Sequence, residues 1–182
     1  MVGMKRAVFL DRDGVINSPV VRDGKPYPPQ RLEEFRIYPE APEACAQLKA
    51  AGFTLVVATN QPDVGAGTQR HDVVEAMHAY MRAELGIDRV EVCYQREQRE
   101  FYKPATGMLV RAARELSLDL TSSFMIGDRW RDVDCGHAAG CTTIWIDRGY
   151  REELRQPPDY RASSLLEAAE IILRLQMPAY QE

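Results

Sequence analysis

The chain has 182 residues, 45% hydrophobic and 27% charged, with a formal net charge of −4. These values exclude a disordered or fibrous chain and fit one globular domain spanning 1–182 with an ample core; the acidic balance gives no electrostatic footprint for nucleic acid, so a small-molecule partner is expected. No segment approaches the roughly 18 apolar residues of a membrane span, and the apolar run in Met1–Asp11 is too short for a signal peptide, so a cytoplasmic protein is expected.

Lys5–Leu10 is a compact apolar stretch rich in β-formers and reads as a central parallel strand. It empties into Asp11-Arg12-Asp13-Gly14-Val15, two carboxylates spaced i and i+2 before a glycine that can turn the backbone sharply. This pattern reads as a nucleophile beside its acid/base. From Ile16 to Pro39 periodicity fails while Pro19, Asp23-Gly24, Pro26 and Pro28-Pro29 accumulate, predicting a long functional loop or a small hairpin. Pro39–Glu43 start a helix that carries Ala44, Leu48 and Ala51 to Gly52, and Phe53–Thr59 is a second buried strand, ending in Thr59-Asn60-Gln61.

Thr68 is expected to cap a helix over about Gln69–Leu85 that Gly86 terminates. Val90–Tyr94 reads as a third strand and 95–102 as a charged loop; Pro104, at a first helical position, opens a helix through Leu116. Phe124–Asp128 is a fourth strand, Arg129–Asp132 lead into a helix, and Cys141–Ile146 is a fifth strand. A last amphipathic helix spans about Ser163–Leu175. His71, His78 and His137 lie on helices without metal-ligand spacing, which favours structural or solvated roles. Cys45, Cys93, Cys135 and Cys141 contain no CxxC pair and signal neither a disulfide framework nor a four-cysteine zinc site. Strands alternating with helices predict an α/β fold, a doubly wound (Rossmann-like) parallel five-stranded sheet flanked by helices.

In such a sheet ligands gather outside the carboxyl ends of the strands. Three strand ends bring chemistry there: Asp11 with Asp13, Thr59 with Asn60, and Asp128 with Asp132; Lys103 adds an ammonium. Each alone is a common cap, turn or solvated charge, and the combination is what points to phosphoryl transfer. Carboxylates hold a hard ion such as Mg²⁺. A hydroxyl, an amide and an ammonium hold phosphate oxygens and offset their charge, and the remaining carboxylates can attack and protonate.

Asp11-Arg12-Asp13-Gly14-Val15 resembles motif I of the haloacid dehalogenase (HAD) superfamily, Thr59-Asn60 its motif II, Lys103 its motif III and Gly127–Asp132 its motif IV, in that order. A finer resemblance runs through Phe9–Asn17, Glu34-Phe35 ahead of Tyr38-Pro39, Thr59–Pro62 and Lys103–Leu109. It is to the branch containing D-glycero-D-manno-heptose 1,7-bisphosphate phosphatase and the histidinol-phosphate phosphatase domain, which lacks a large cap domain. The resemblance implies that Asp11 attacks phosphorus to form an aspartyl-phosphate and that Asp13 protonates the leaving alcohol and then activates water. It further implies Mg²⁺ on the Asp11 carboxylate, the Asp13 backbone carbonyl and Asp128, and the phosphoryl group on Thr59, Asn60 and Lys103. Asp132 would orient Lys103 or a metal-bound water; Arg129 would meet substrate phosphate or lie on the surface.

The chain departs from that branch in its zinc loop: only Cys93 is present, with Gln95 where a histidine belongs, so zinc is not expected. Tyr102 stands where the branch has an arginine before the motif III lysine, and Ala66 where the loop after motif II usually has one. Losing these cations argues against a second phosphate on the substrate. The expected activity is Mg²⁺-dependent hydrolysis of a small phosphate monoester, of sugar or sugar-bisphosphate type. Histidinol phosphate, a polynucleotide 3′ end and a non-catalytic binding domain are the alternatives. Specificity is expected in the loop at about 16–38 and in 95–102, and a monomer is expected.

Overall fold

Strand β1 (Ala7–Leu10) is buried at every position, and the alternation of its side chains sets the layering. Val8 and Leu10 enter one apolar cluster, while Ala7 and Phe9 enter a second on the other face. The structure, a computed structural model, describes residues 3–177, so Met1 and Val2 of the N-terminal run lie outside the described residues. Next come the antiparallel hairpin of β2 (Val20–Arg22) and β3 (Lys25–Tyr27), then α1 (Ala41–Ala50), β4 (Thr54–Asn60), a short α2 (Pro62–Gly65), α3 (His71–Leu85) and β5 (Arg89–Cys93). They are followed by α4 (Gly107–Leu116), β6 (Phe124–Gly127), α5 (Trp130–Ala139), β7 (Thr142–Ile146), β8 (Tyr160–Ala162) and α6 (Leu165–Gln176).

The main sheet has the order β5-β4-β1-β6-β7-β8, and every pairing in it is parallel. Leu48 of α1, Met77 and Met81 of α3, and Leu165 and Ile172 of α6 cover the face that Val8 and Leu10 enter. Met108, Leu109 and Ala112 of α4 and Cys135 of α5 cover the opposite face. Each large buried side chain here contributes about 1.5–3 kcal/mol of apolar transfer. From β1 the chain winds outward through β4 and β5, then crosses to β6 and winds outward the other way. That reversal between β1 and β6 opens a crevice at their carboxyl ends.

Three expectations need correction. The sheet has six strands, because β8 pairs with β7; with only three residues, two of them exposed, it has no periodicity to read. Thr68 does not cap α3, which starts at His71 after an uncapped Arg70. Instead the Thr68 hydroxyl donates to the Asp63 carbonyl at 3.2 Å, and the Gln69 amide donates to the carbonyls of Pro29 and Gln30 behind the hairpin. Nor does Pro104 open α4, which begins at Gly107. The Lys103 N–H donates to Asn60 Oδ1 at 3.0 Å and its carbonyl accepts from Asn60 Nδ2 at 3.1 Å, so both backbone groups are used outside a helix. No helix among the described residues is long and apolar enough to cross a membrane.

Candidate active site

β1 and β6 lie side by side, so their carboxyl ends deliver Asp11 and Asp128 to one place, and the Asp11 N–H donates to the Ile126 carbonyl at 3.0 Å to close the junction. Two glycines permit the approach. A Cβ on Gly14, whose φ is +88°, would lie 1.8 Å from Asp128 Oδ2 and 3.0 Å from the Tyr150 hydroxyl. One on Gly127 would lie 2.0 Å from the Asp132 Cβ. Both substitutions would displace a carboxylate.

Asp11, Asp128 and Asp132 each place a carboxylate oxygen within 4.8 Å of the others. Lys103 Nζ joins two of them, at 2.9 Å from Asp11 Oδ1 and 2.7 Å from Asp132 Oδ1. The second Asp132 oxygen accepts from the Arg129 backbone N–H at 3.1 Å, so Asp132 caps the start of α5 while holding the lysine. Both Asp128 oxygens are buried without a hydrogen-bond partner. Burial, and then the Asp132 charge, push the Asp11 carboxyl up to about 6 against the pull of Lys103. Burial, with Asp11 and Asp132 behind it, holds the Asp128 carboxyl well above the usual range. Burial works against the Lys103 charge, but Asp11 and Asp132 outweigh it and hold the ammonium on. The cluster is short of positive charge, which is the electrostatic signature of a divalent-cation site made of hard oxygen donors.

Asp13 is held differently. Arg12 reaches it through Nε at 3.2 Å and NH2 at 3.0 Å, Asn17 Nδ2 donates at 2.9 Å, and Gln61 Nε2 donates at 2.9 Å. Burial would raise this carboxyl, but Arg12, and then Asn17 and Gln61, hold it below the usual range. Arg12 is itself fully buried. Behind it, NH1 lies 3.2 Å from His78 Nε2, and burial, then Arg12, lower that imidazole to about 4.

A cavity of about 310 Å³ opens in front of this cluster, lined by Asp11, Asp13, Asn60, Lys103, Asp128, Arg129 and Asp132. Such a volume suits a small metabolite. Of the residues singled out from sequence, Thr59 alone does not line it: it is buried, and its Oγ1 accepts from Gln61 Nε2 at 2.9 Å. Asn60 lines the cavity with its side-chain amide spent on the Lys103 backbone. Arg129 lines it while paired with Glu152 at 2.5 Å.

Sequence reasoning missed the holders of Asp13, namely Arg12, Asn17 and Gln61, although all sit inside the motifs quoted above. It also missed Tyr150, whose buried hydroxyl converges with Asp128 on Gly14. From the same loop Arg148 Nε donates to the Gly14 carbonyl at 2.8 Å. No local pattern marks that loop.

The HAD-hydrolase-like family pattern matches residues 101–168. The chain is similar to D-glycero-D-manno-heptose-1,7-bisphosphate 7-phosphatase of Thermosynechococcus vestitus, 33% identical over 91% of this chain and 94% of that one. It is similar to D-glycero-beta-D-manno-heptose-1,7-bisphosphate 7-phosphatase of Rhodopseudomonas palustris, 38% identical over 74% of this chain and 79% of that one. Among solved structures, D,D-heptose 1,7-bisphosphate phosphatase from B. bronchiseptica, complexed with magnesium and phosphate, aligns with a TM-score of 0.76 at 27% identity, covering 93% of this chain and 99% of that one.

Proposed function

The chain belongs to the HAD-like hydrolases, within the family of the D-glycero-D-manno-heptose 1,7-bisphosphate 7-phosphatases, and from that premise we propose how its own residues hydrolyse a sugar bisphosphate of that type. It is a phosphatase. The observation that carries the residue assignment is the cluster of Asp11, Asp128 and Asp132 around a single ammonium, Lys103, with both Asp128 oxygens unpartnered.

Asp11 and Asp128, with the Asp13 backbone carbonyl, are the proposed Mg²⁺ ligands, and the ion when bound would supply Lewis-acid polarisation of the phosphoryl oxygens. Asp132 is left out of this set because both its oxygens are engaged, by Lys103 and by the Arg129 backbone. The Asp11 carboxylate attacks phosphorus, the ester P–O bond breaks, and the leaving alkoxide takes a proton from Asp13. Asp13, now a carboxylate, removes a proton from the water that attacks the aspartyl-phosphate. The Asp11–phosphorus bond then breaks, freeing inorganic phosphate and restoring both side chains. Lys103 offsets charge on the transferring group throughout. Arg12, Asn17 and Gln61 all donate to Asp13 and so favour its carboxylate; carrying the proton in the first step requires Asp13 to give up part of this clamp. The reading includes no zinc: Cys93 is buried and its thiol donates to the Gln95 carbonyl at 3.3 Å.

The test is a phosphate-release screen with Mg²⁺ over heptose 1,7-bisphosphate, histidinol phosphate and an aryl phosphate, comparing kcat/KM. The expected result is the highest value on the bisphosphate. Highest turnover on histidinol phosphate would replace the substrate, and hydrolysis retained by Asp11→Asn would overturn the assignment of the nucleophile.

A further inference from the structure

The cavity in front of Asp11 is unevenly charged. At its base Lys103 is committed to Asp11 and Asp132, and at its side Arg129 is committed to Glu152. Three other lining cations, Lys25, Arg96 and Arg131, form no ion pair among the described residues, while one further acid, Asp63, lines the wall. Arg96 and Arg131 come from different elements, the loop after β5 and the first turn of α5, yet both reach one ring. Their guanidinium carbons stand over the Tyr102 ring, 5.7 and 5.8 Å from its centroid, and that of Arg131 also stands 5.2 Å from the Trp130 centroid.

A guanidinium resting on an aromatic face keeps its N–H edge available, and that edge matches two oxygens of a phosphate. The ring also restricts both long side chains, which lowers the entropy lost on gripping an anion. Arg131 moreover breaks a local rule: it sits in the first turn of a ten-residue helix, at the positive end of the helix dipole. A cation placed there is disfavoured until an anion arrives. Breaks of this kind in an otherwise consistent sequence concentrate at functional sites.

We propose that Arg96 and Arg131, gathered on Tyr102, form a subsite for the second phosphate of the substrate, the one not being hydrolysed, with Lys25 of the hairpin as an outer cation. The inference rests on the phosphatase reading above and names the residues that make it selective for a bisphosphate. Tyr102 in place of arginine therefore does not cost the site its charge. It exchanges one cation on the chain beside Lys103 for a platform that assembles two from elsewhere.

The test compares kcat/KM for heptose 1,7-bisphosphate with that for heptose 7-phosphate in the wild-type chain and in Arg96→Ala/Arg131→Ala. The ratio is expected to fall about 10- to 100-fold in the double variant, chiefly through KM for the bisphosphate. Tyr102→Leu, which keeps both charges and removes their platform, is expected to fall part of the way. Arg96→Glu, at an exposed loop position that leaves the core untouched, is expected to lower the ratio further than Arg96→Ala. An unchanged ratio in the double variant and in Arg96→Glu overturns the subsite while leaving the phosphatase reading intact. A wild-type chain that hydrolyses neither ester overturns the sugar-bisphosphate reading, and the subsite is then judged by calorimetry. Heptose 1,7-bisphosphate is titrated into Asp11→Asn with and without the two arginine substitutions: weaker binding without the arginines supports the subsite, and equal affinity overturns it.

Discussion

Asp132 anchors Lys103: Oδ1 lies 2.7 Å from Nζ, with both side chains almost fully buried. The lysine is thereby aimed across the base of the cavity at Asp11, 2.9 Å away. Asp132→Ala strands half of a buried ion pair, and is expected to lower kcat by about 10²-fold and stability by about 3 kcal/mol. Asp132→Asn keeps an acceptor of the same shape, so its stability loss is smaller while turnover still falls. Phosphate-release kinetics with thermal midpoints check the pair. Equal activity in wild type and Asp132→Asn would remove Asp132 from the positioning of Lys103.

Asp11→Asn separates chemistry from folding. Without the nucleophile, turnover is expected to drop by more than about 10³-fold. The metal-free protein should nevertheless be no less stable at neutral pH. The substitution removes a buried charge that burial and Asp132 both disfavour, and Lys103 keeps its contact with Asp132. A variant both inactive and strongly destabilised would indicate that Asp11 serves mainly as a structural counter-ion for the lysine.

The places where sequence reading succeeded and failed have a common physical basis. Ala7–Leu10 and Phe124–Gly127 are short apolar runs ending in acids, so strand, burial and site position were all legible within a few residues. What stayed hidden depends on partners far along the chain. Lys103 looked like the residue before a helix because Pro104 is a good helix starter. Its backbone is instead claimed by Asn60, 43 positions earlier. Asn60 reads as a phosphate ligand, and nothing local signals that its amide also meets the Lys103 backbone. The sequence marks 95–102 as a charged specificity loop and places Arg131 at a helix start, but nothing local signals that Arg96 and Arg131 share the Tyr102 ring. β8 was invisible because its three residues, two of them exposed, carry no pattern of their own; their pairing is set by the parallel register with β7 and extended by the Asp147 N–H on the Ala162 carbonyl at 3.1 Å.

The Asn60 clamp makes its own prediction. Asn60→Ala leaves the N–H and the carbonyl of Lys103 without their partners, a loss of about 1–3 kcal/mol. It should also lower kcat, because the lysine backbone is no longer fixed, with a smaller change in KM. Asn60→Asp keeps an acceptor for the N–H but sets a carboxylate against the carbonyl, and should do no better. A KM effect without a kcat effect would instead make Asn60 a direct substrate contact.

Arg12 is expected to tolerate no neutral replacement. It is fully buried and grips Asp13 through two nitrogens. Arg12→Met would leave the partly exposed Asp13 carboxylate supported only by Asn17 and Gln61, at a cost of about 1–3 kcal/mol. Arg12→Lys keeps the charge but not the two-point grip, so it should fold, with kcat reduced. Denaturant unfolding and turnover of the two variants distinguish the roles. Full activity in Arg12→Lys would show that charge alone is what Asp13 requires.

Magnesium should stabilise the protein more at about pH 7.5 than at about pH 5, and the sign follows from the carboxyls. Burial and the Asp132 charge raise Asp11 to about 6 in the metal-free fold, and burial with its acidic neighbours raises Asp128 as well. A carboxyl raised on folding binds more protons in the folded state, so Asp11 lowers the metal-free stability as pH rises from the ordinary carboxylate value through about 6, and Asp128, held well above that value, acts in the same direction. His78 acts in the opposite direction. Burial and Arg12 depress it from 6.5 to about 4, so the unfolded chain takes up its proton first and stability rises with pH across that interval. Asp13 is lowered on folding, so its contribution is fully present above the ordinary carboxylate range and constant between the two conditions. The total slope is therefore a difference of opposed contributions. The magnesium increment is not, because the ion competes with protons at Asp11 and Asp128, whereas His78 lies behind Arg12 and titrates alike with and without it. Thermal melts with saturating MgCl₂ and with EDTA, at both pH values, read that increment directly. Equal increments would mean that Asp11 and Asp128 are already ionised at the lower pH, and that their burial carries no electrostatic strain for a cation to relieve.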